Sequence, residues 1–206
     1  MNALYWVIVV AGGFLLGSVM FCELIPKRFA GKDIYEISAD NNPGAFNAFK
    51  HCGARVGIPC LLLDVAKGFI PVFTASMLLD CNGIAFSLAM AAPVLGHAVG
   101  LFNKLHGGKC IAVSFGVLLG IIPISWVPIT VLAGLYIFFS CIIKINPASK
   151  RSVIVYILFA IISCTALGFM KMLYAAIGCG LVAAQPVVKF LFYKNAPVED
   201  AVSEKE

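Results

Sequence analysis

Two lysines stand inside or beside strongly apolar segments of this chain. Lys67 lies in LLLDVAKGFIPV (Leu61 to Val72), and Lys109 in LGHAVGLFNKLHGGKCIAV (Leu95 to Val113). A lysine at the middle of a membrane helix costs about 2.5 to 3.5 kcal/mol on insertion scales. A chain that keeps both has a use for them, and holding an anion is the simplest. Gly107 and Gly108 precede Lys109 where an apolar segment begins. Glycines let backbone N–H groups converge on an anion, the following helix adds its positive end, and Lys109 adds a full charge. The Walker pattern G-x-x-x-x-G-K-[ST] is absent. His97 precedes this loop; a lone histidine there is more often a packing residue than a catalyst.

Two further stretches admit two readings each. Asp40-Asn41-Asn42-Pro43-Gly44-Ala45-Phe46-Asn47 is rich in turn formers and asparagine, and Lys50, His51 and Arg55 follow it. It is an ordinary solvated loop, or a polar turn that seats an anion at a basic helix start. Asp64, Lys67 and Pro71 share one helical face. Asp64 and Lys67 then form a structural ion pair between helices, or Lys67 reaches substrate phosphate with Gly68 allowing close approach. Other chemistries lack their patterns. There is no G-x-S-x-G elbow, no histidine pair at metal spacing and no H-x-x-x-x-D base motif.

The elements that must carry these residues are membrane helices. The chain has 206 residues, 61% hydrophobic and 12% charged, with mean hydropathy +0.98. That is far from a soluble globular composition. Apolar runs predict an all-α polytopic membrane protein with about seven spans, near 3–21, 57–79, 83–102, 110–124, 126–143, 152–169 and 172–193. The fourth and fifth share one stretch of 34 residues, Cys110 to Ile143. As one helix it would run ~51 Å, too long for a bilayer, so Pro123, Ser125 and Pro128 mark a break. Both halves are short, which leaves a re-entrant fourth segment open.

Of the 15 Lys and Arg residues, all but Lys171 fall on or toward one side of these spans. The positive-inside rule then places the N-terminus outside and the C-terminus in the cytoplasm. The first run lacks basic flanks and a small-residue cleavage site, so it reads as a retained span rather than a signal peptide. Residues 1–193 are expected to form a single integral membrane domain. The polar tail 194–206 is expected to be disordered. The eight cysteines show no C-x-x-C pair and read as reduced, inert apolar residues. Repeats are not visible by eye, which disfavours inverted-repeat transporter folds.

Taken in order, Gly17-Ser18, NPGAFN (Asn42 to Asn47), DVAKG (Asp64 to Gly68), and Gly96-His97 followed by HGGKCIA (to Ala112) resemble the acyl-phosphate-dependent glycerol-3-phosphate acyltransferases, the PlsY family. The resemblance covers most of residues 10–120. It implies a small seven-helix protein of the bacterial inner membrane, active in phospholipid synthesis. It implies transfer of a fatty acyl group from acyl phosphate to the 1-hydroxyl of glycerol 3-phosphate, giving lysophosphatidate and phosphate. The implied partners are those two substrates and the bilayer, with no nucleic acid, and no metal or coenzyme. On this resemblance Lys109, His97 and Asp40 stand at the reacting centre. Asn42, Gly44, Asn47, Lys50, Arg55, Lys67, Gly107 and Gly108 line or charge the phosphate site. A substrate phosphate oxygen takes the glycerol proton.

The chain also departs from the family pattern S-G-N-x-G-A-T-N. Anchored on Gly44, Asp40 stands where the family has its functional serine. Lys50 replaces an arginine and loses the bidentate fork. Cys110 follows the GGK in place of glycine, and the family's C-terminal R-H-x-x-N is missing. A carboxylate at position 40 repels phosphate unless a neighbouring cation neutralises it. The alternatives are a non-catalytic or repurposed relative that binds acyl phosphate or phospholipid, and a small anion transporter subunit.

Overall fold

The computed structural model describes residues 2–193, all of whose regular structure is helical. The tail expected to be disordered lies outside the described residues. Helix α1 (Asn2–Gly17) bends by 42° into α2 (Phe21–Ala30). Gly31 ends α2 in the left-handed region, at φ 63°. Next come α3 (Ile34–Ile37), α4 (Ala45–Cys52) and α5 (Ala54–Leu78). Then follow α6 (Ile84–Val99), α7 (Ile111–Gly120) and α8 (Val127–Ile137), the last extended by a π-helical turn, Phe138–Ile142. The chain closes with α9 (Ala148–Phe169) and α10 (Leu173–Tyr193).

All seven apolar segments expected from the sequence are helices. Among the described residues, α5, α9 and α10 are long and apolar enough to cross a membrane, and the bent α1–α2 pair makes a fourth candidate. Helices α6, α7 and α8 are apolar but shorter. The expected break between α7 and α8 is present. Pro123 lies in the link, Ser125 Oγ accepts from the Val127 amide at 3.3 Å, and Pro128 sits in the first turn of α8. The loop after α1 holds three helices that hydropathy did not reveal, α2, α3 and α4. They are short and carry polar and apolar residues together, so no long apolar run announces them.

Polar contacts tie α2 to α3. Lys27 bridges Glu23 at 2.9 Å and Asp33 at 2.5 Å, and Glu23 Oε2 accepts from the Tyr35 amide at 3.1 Å. The hydrogen bond with Glu23 and the Lys27 ammonium hold the Asp33 carboxyl down to about 2. Asp33 also caps α3 by accepting from the Glu36 amide. Helix α4 then lies along the start of α5.

The bundle packs through glycine. Helices α5 and α7 pair along their length, as do α1 and α6. A Cβ at Gly116 would sit 2.0 Å from the Val65 carbonyl oxygen, and one at Gly68 2.3 Å from that of Val113. Gly17 faces Pro93 and Gly96 faces Phe14 in the same way. Between helices in lipid, close backbone approach replaces the hydrophobic drive that water supplies. Gly68 therefore admits a helix, not a substrate. Gly116→Ala should destabilise by about 1–3 kcal/mol through overpacking. A lower melting temperature in detergent checks this; an unchanged one would mean the helices part freely. Large apolar side chains such as Ile70, Ile157 and Ile161 remain exposed on the outer faces, as suits contact with hydrocarbon.

Candidate active site

A cleft of about 710 Å³ opens where the loop before α4, the start of α7 and the start of α9 meet. Its mouth is polar, lined by Asp40, Asn42, Asn47, His97, Lys109 and Arg151. The rest of its lining is an apolar trough of Leu61, Leu62 and Val65 from α5, Ile111, Phe115 and Leu119 from α7, and Tyr136 from α8. From Ile111 to Leu119 the trough runs roughly 12 Å along α7.

The mouth is assembled by the turn before α4. Asn42 is buried, and its amide donates to Ser38 Oγ at 3.0 Å. Asn47, on the first turn of α4, donates from Nδ2 to both Asp40 Oδ1 and the Asn42 carbonyl, at 2.8 Å each. Gly44 starts α4 and packs under Asn42, where a Cβ would lie 2.6 Å from Asn42 Nδ2. The turn is thus a built structure, not a solvated loop. Asn42 Oδ1 is buried with no protein partner.

Lys109 comes from the opposite wall and pairs with Asp40 Oδ2. Its ammonium also lies 5.7 Å from the centre of the Phe190 ring of α10. The pair joins two segments far apart in sequence and supplies the cation that a carboxylate at position 40 requires. Gly107 and Gly108 do not line the cleft. They let the loop fold back on α6: the Gly108 amide donates to the His97 carbonyl at 3.0 Å, and a Cβ on Gly108 would meet His97 Nε2 at 2.4 Å. His97 is buried and lines the cleft, and its Nδ1 has no protein partner. Cys110 is left-handed, at φ 66°, immediately before α7. That conformation explains why glycine suits the position.

Asp64 and Lys67 form a buried ion pair of 2.8 Å. Cys22 Sγ donates to Asp64 Oδ2 at 2.9 Å, and Lys67 Nζ donates to the Val19 carbonyl at 2.5 Å. The four groups tie the bend between α1 and α2 to α5. Asp64 reaches the cleft wall, whereas Lys67 does not. Lys50 and Arg55 are exposed and do not line the cleft.

The structure therefore gathers Asp40, Asn42, Gly44, Asn47, His97 and Lys109 around one cleft. It adds Tyr136, Ser149, Arg151, Ser152 and Phe190, which sequence reasoning did not select. None of these sits in a recognisable motif; Arg151 read only as flanking positive charge.

The glycerol-3-phosphate acyltransferase family model matches residues 7–195. A glycerol-3-phosphate acyltransferase of Maridesulfovibrio salexigens is 37% identical over 120 residues, 58% of this chain and 60% of that protein. One from Thermotoga petrophila is 41% identical over 114 residues, 55% of this chain and 56% of that protein. The matches thus span little more than half the length of these relatives. The fold resembles the crystal structure of PlsY (YgiH), an integral membrane glycerol 3-phosphate acyltransferase, in its glycerol 3-phosphate form. There the TM-score is 0.74 at 24% identity, over 92% of this chain and 90% of that one.

Proposed function

The chain belongs to the glycerol-3-phosphate acyltransferase family, and we propose on that ground that it moves a fatty acyl group from acyl phosphate to the 1-hydroxyl of glycerol 3-phosphate. The observation that carries this reading is the cleft. A polar, cation-bearing mouth suits the phosphates, and an apolar trough beside it suits an acyl chain. The hydroxyl oxygen attacks the acyl carbonyl carbon, the carbonyl–phosphate C–O bond breaks, and a phosphate oxygen accepts the hydroxyl proton. Lysophosphatidate and inorganic phosphate leave.

Each side chain has a role in that scheme. Lys109 faces the charge that grows on the departing phosphate. Asp40 governs when Lys109 is available, since carboxylate and phosphate compete for one ammonium. Asn47 orients Asp40, while Asn42 and Gly44 shape the turn. His97 lines the reacting centre, held by Gly107 and Gly108. Lys67 acts through Asp64 by anchoring the cleft wall. Lys50 and Arg55 draw anionic substrates toward the mouth by their field.

The fold forms one membrane domain that crosses seven times, its N-terminus outside and its C-terminus in the cytoplasm of a bacterial cell. This topology rests on the sidedness of Lys and Arg and on seven apolar helices.

The direct test supplies palmitoyl phosphate and labelled glycerol 3-phosphate to the purified protein in lipid. Labelled lysophosphatidate is expected. No product from folded protein defeats the reading, and anion flux in sealed vesicles would then favour a transporter. Asp40→Ser should lower the KM for a phosphate substrate by about tenfold, the scale of one lost charge repulsion near the surface. Unchanged KM values for both substrates would show that Asp40 does not compete.

A further inference from the structure

The charges lining the cleft cancel in pairs, with one exception. Lys109 is engaged by Asp40, and Asp64 by Lys67. The remaining charged group on the wall is Arg151, on the first turns of α9. Its Nε is buried and has no acceptor, and among the described residues no carboxylate pairs with it. A buried guanidinium N–H without a partner is costly to leave unmade. Ser149 and Ser152 line the same end of the cleft, one helical turn apart. Ser152 Oγ already meets Tyr136 Oη at 3.3 Å.

We infer that Arg151, with Ser149 and Ser152, is a second anion seat of this cleft, distinct from Lys109, that takes the phosphate group of one of the two substrates. The inference deepens the acyltransferase reading and rests on it. A reaction between two phosphates brings about −2 of charge with each at neutral pH. A single ammonium already shared with a carboxylate cannot balance both. A guanidinium holds two phosphate oxygens through its planar fork, which a lysine cannot imitate. Two hydroxyls beside it can donate to the same group. Lys50 and Arg55 do not line the cleft, so Arg151 restores inside it a fork that position 50 lacks.

The test is kinetic and uses the full chain in lipid. Arg151→Gln should raise the KM of one phosphate substrate about tenfold or more, as expected for a lost charge-assisted contact. The KM of the other substrate should stay within about twofold. The substrate that responds, palmitoyl phosphate or glycerol 3-phosphate, identifies whose phosphate the seat takes. Arg151→Lys should give an intermediate KM, because it returns charge without the fork. Ser149→Ala should raise the same KM by a smaller factor, and it carries the test together with Arg151→Lys if the glutamine variant does not fold. Unchanged KM values for both substrates in a folded variant overturn the seat and leave the acyltransferase reading intact. If the wild type turns over no substrate, that reading fails, and calorimetric titration with inorganic phosphate judges the seat alone. Weaker phosphate binding in Arg151→Gln than in wild type supports it; equal binding overturns it.

Discussion

Lys109→Ala is expected to lower acyl transfer by about 10²- to 10³-fold in kcat, the range seen when one preorganised group facing developing charge is removed. Lys109 lines the cleft and is the cation paired with the Asp40 turn. Lys67 cannot take over, because it is tied to Asp64 and the Val19 carbonyl. The substitution has a second cost. It leaves the Asp40 carboxylate unpaired at the mouth, where it repels each incoming phosphate. The double variant Lys109→Ala with Asp40→Ser should therefore recover part of the loss, mainly in KM. Lysophosphatidate formation by the three variants in lipid measures both effects. Activity of Lys109→Ala within about threefold of wild type would remove this residue from the chemistry.

The second large effect falls on folding. Removing either partner of the Asp64–Lys67 pair should destabilise by about 3–5 kcal/mol, because the other charge is left buried and uncompensated. Both side chains are almost fully buried, at 2% and 0% relative exposure. The expected results for Lys67→Met are a lower melting temperature and loss of monodisperse protein in detergent. The paired replacement Asp64→Leu with Lys67→Met should restore much of that stability, since apolar residues of similar volume commonly replace buried ion pairs at little cost. If the double variant folds but loses acyl transfer, Asp64 serves the cleft as well as the bundle. If Lys67→Met alone is as stable as wild type, the pair does not tie α5 to the α1–α2 bend.

How far the chain could be read without its tertiary structure differed from element to element. The seven apolar helices followed from hydropathy, and the break between α7 and α8 followed from Pro123, Ser125 and Pro128. The three short helices α2, α3 and α4 did not, because hydropathy windows long enough to find a span average out a segment of four to ten residues. The NPGAFN and HGGK motifs were legible as places where backbone turns tightly. They did not say what each group touches. Gly108 had the pattern of a phosphate loop, yet it packs on His97. Gly68 had the pattern of a substrate approach, yet it packs on α7. Glycine permits close approach without naming what approaches.

By itself, the sequence determined the helical class, the apolar segments, the family motifs and the polar groups on offer. Those properties are local: a run of apolar residues or a fixed spacing holds them. The tertiary structure alone decided the partners. Asp40 and Lys109 are separated by nearly seventy residues of chain, and Arg151 reaches the cleft only because α9 packs beside α8 and its first turns meet Tyr136. A charge in a sequence has no sign of being compensated or free until the fold brings its counter-ion near. In this cleft that difference separates Lys109, shared with a carboxylate, from Arg151, whose buried Nε has no acceptor.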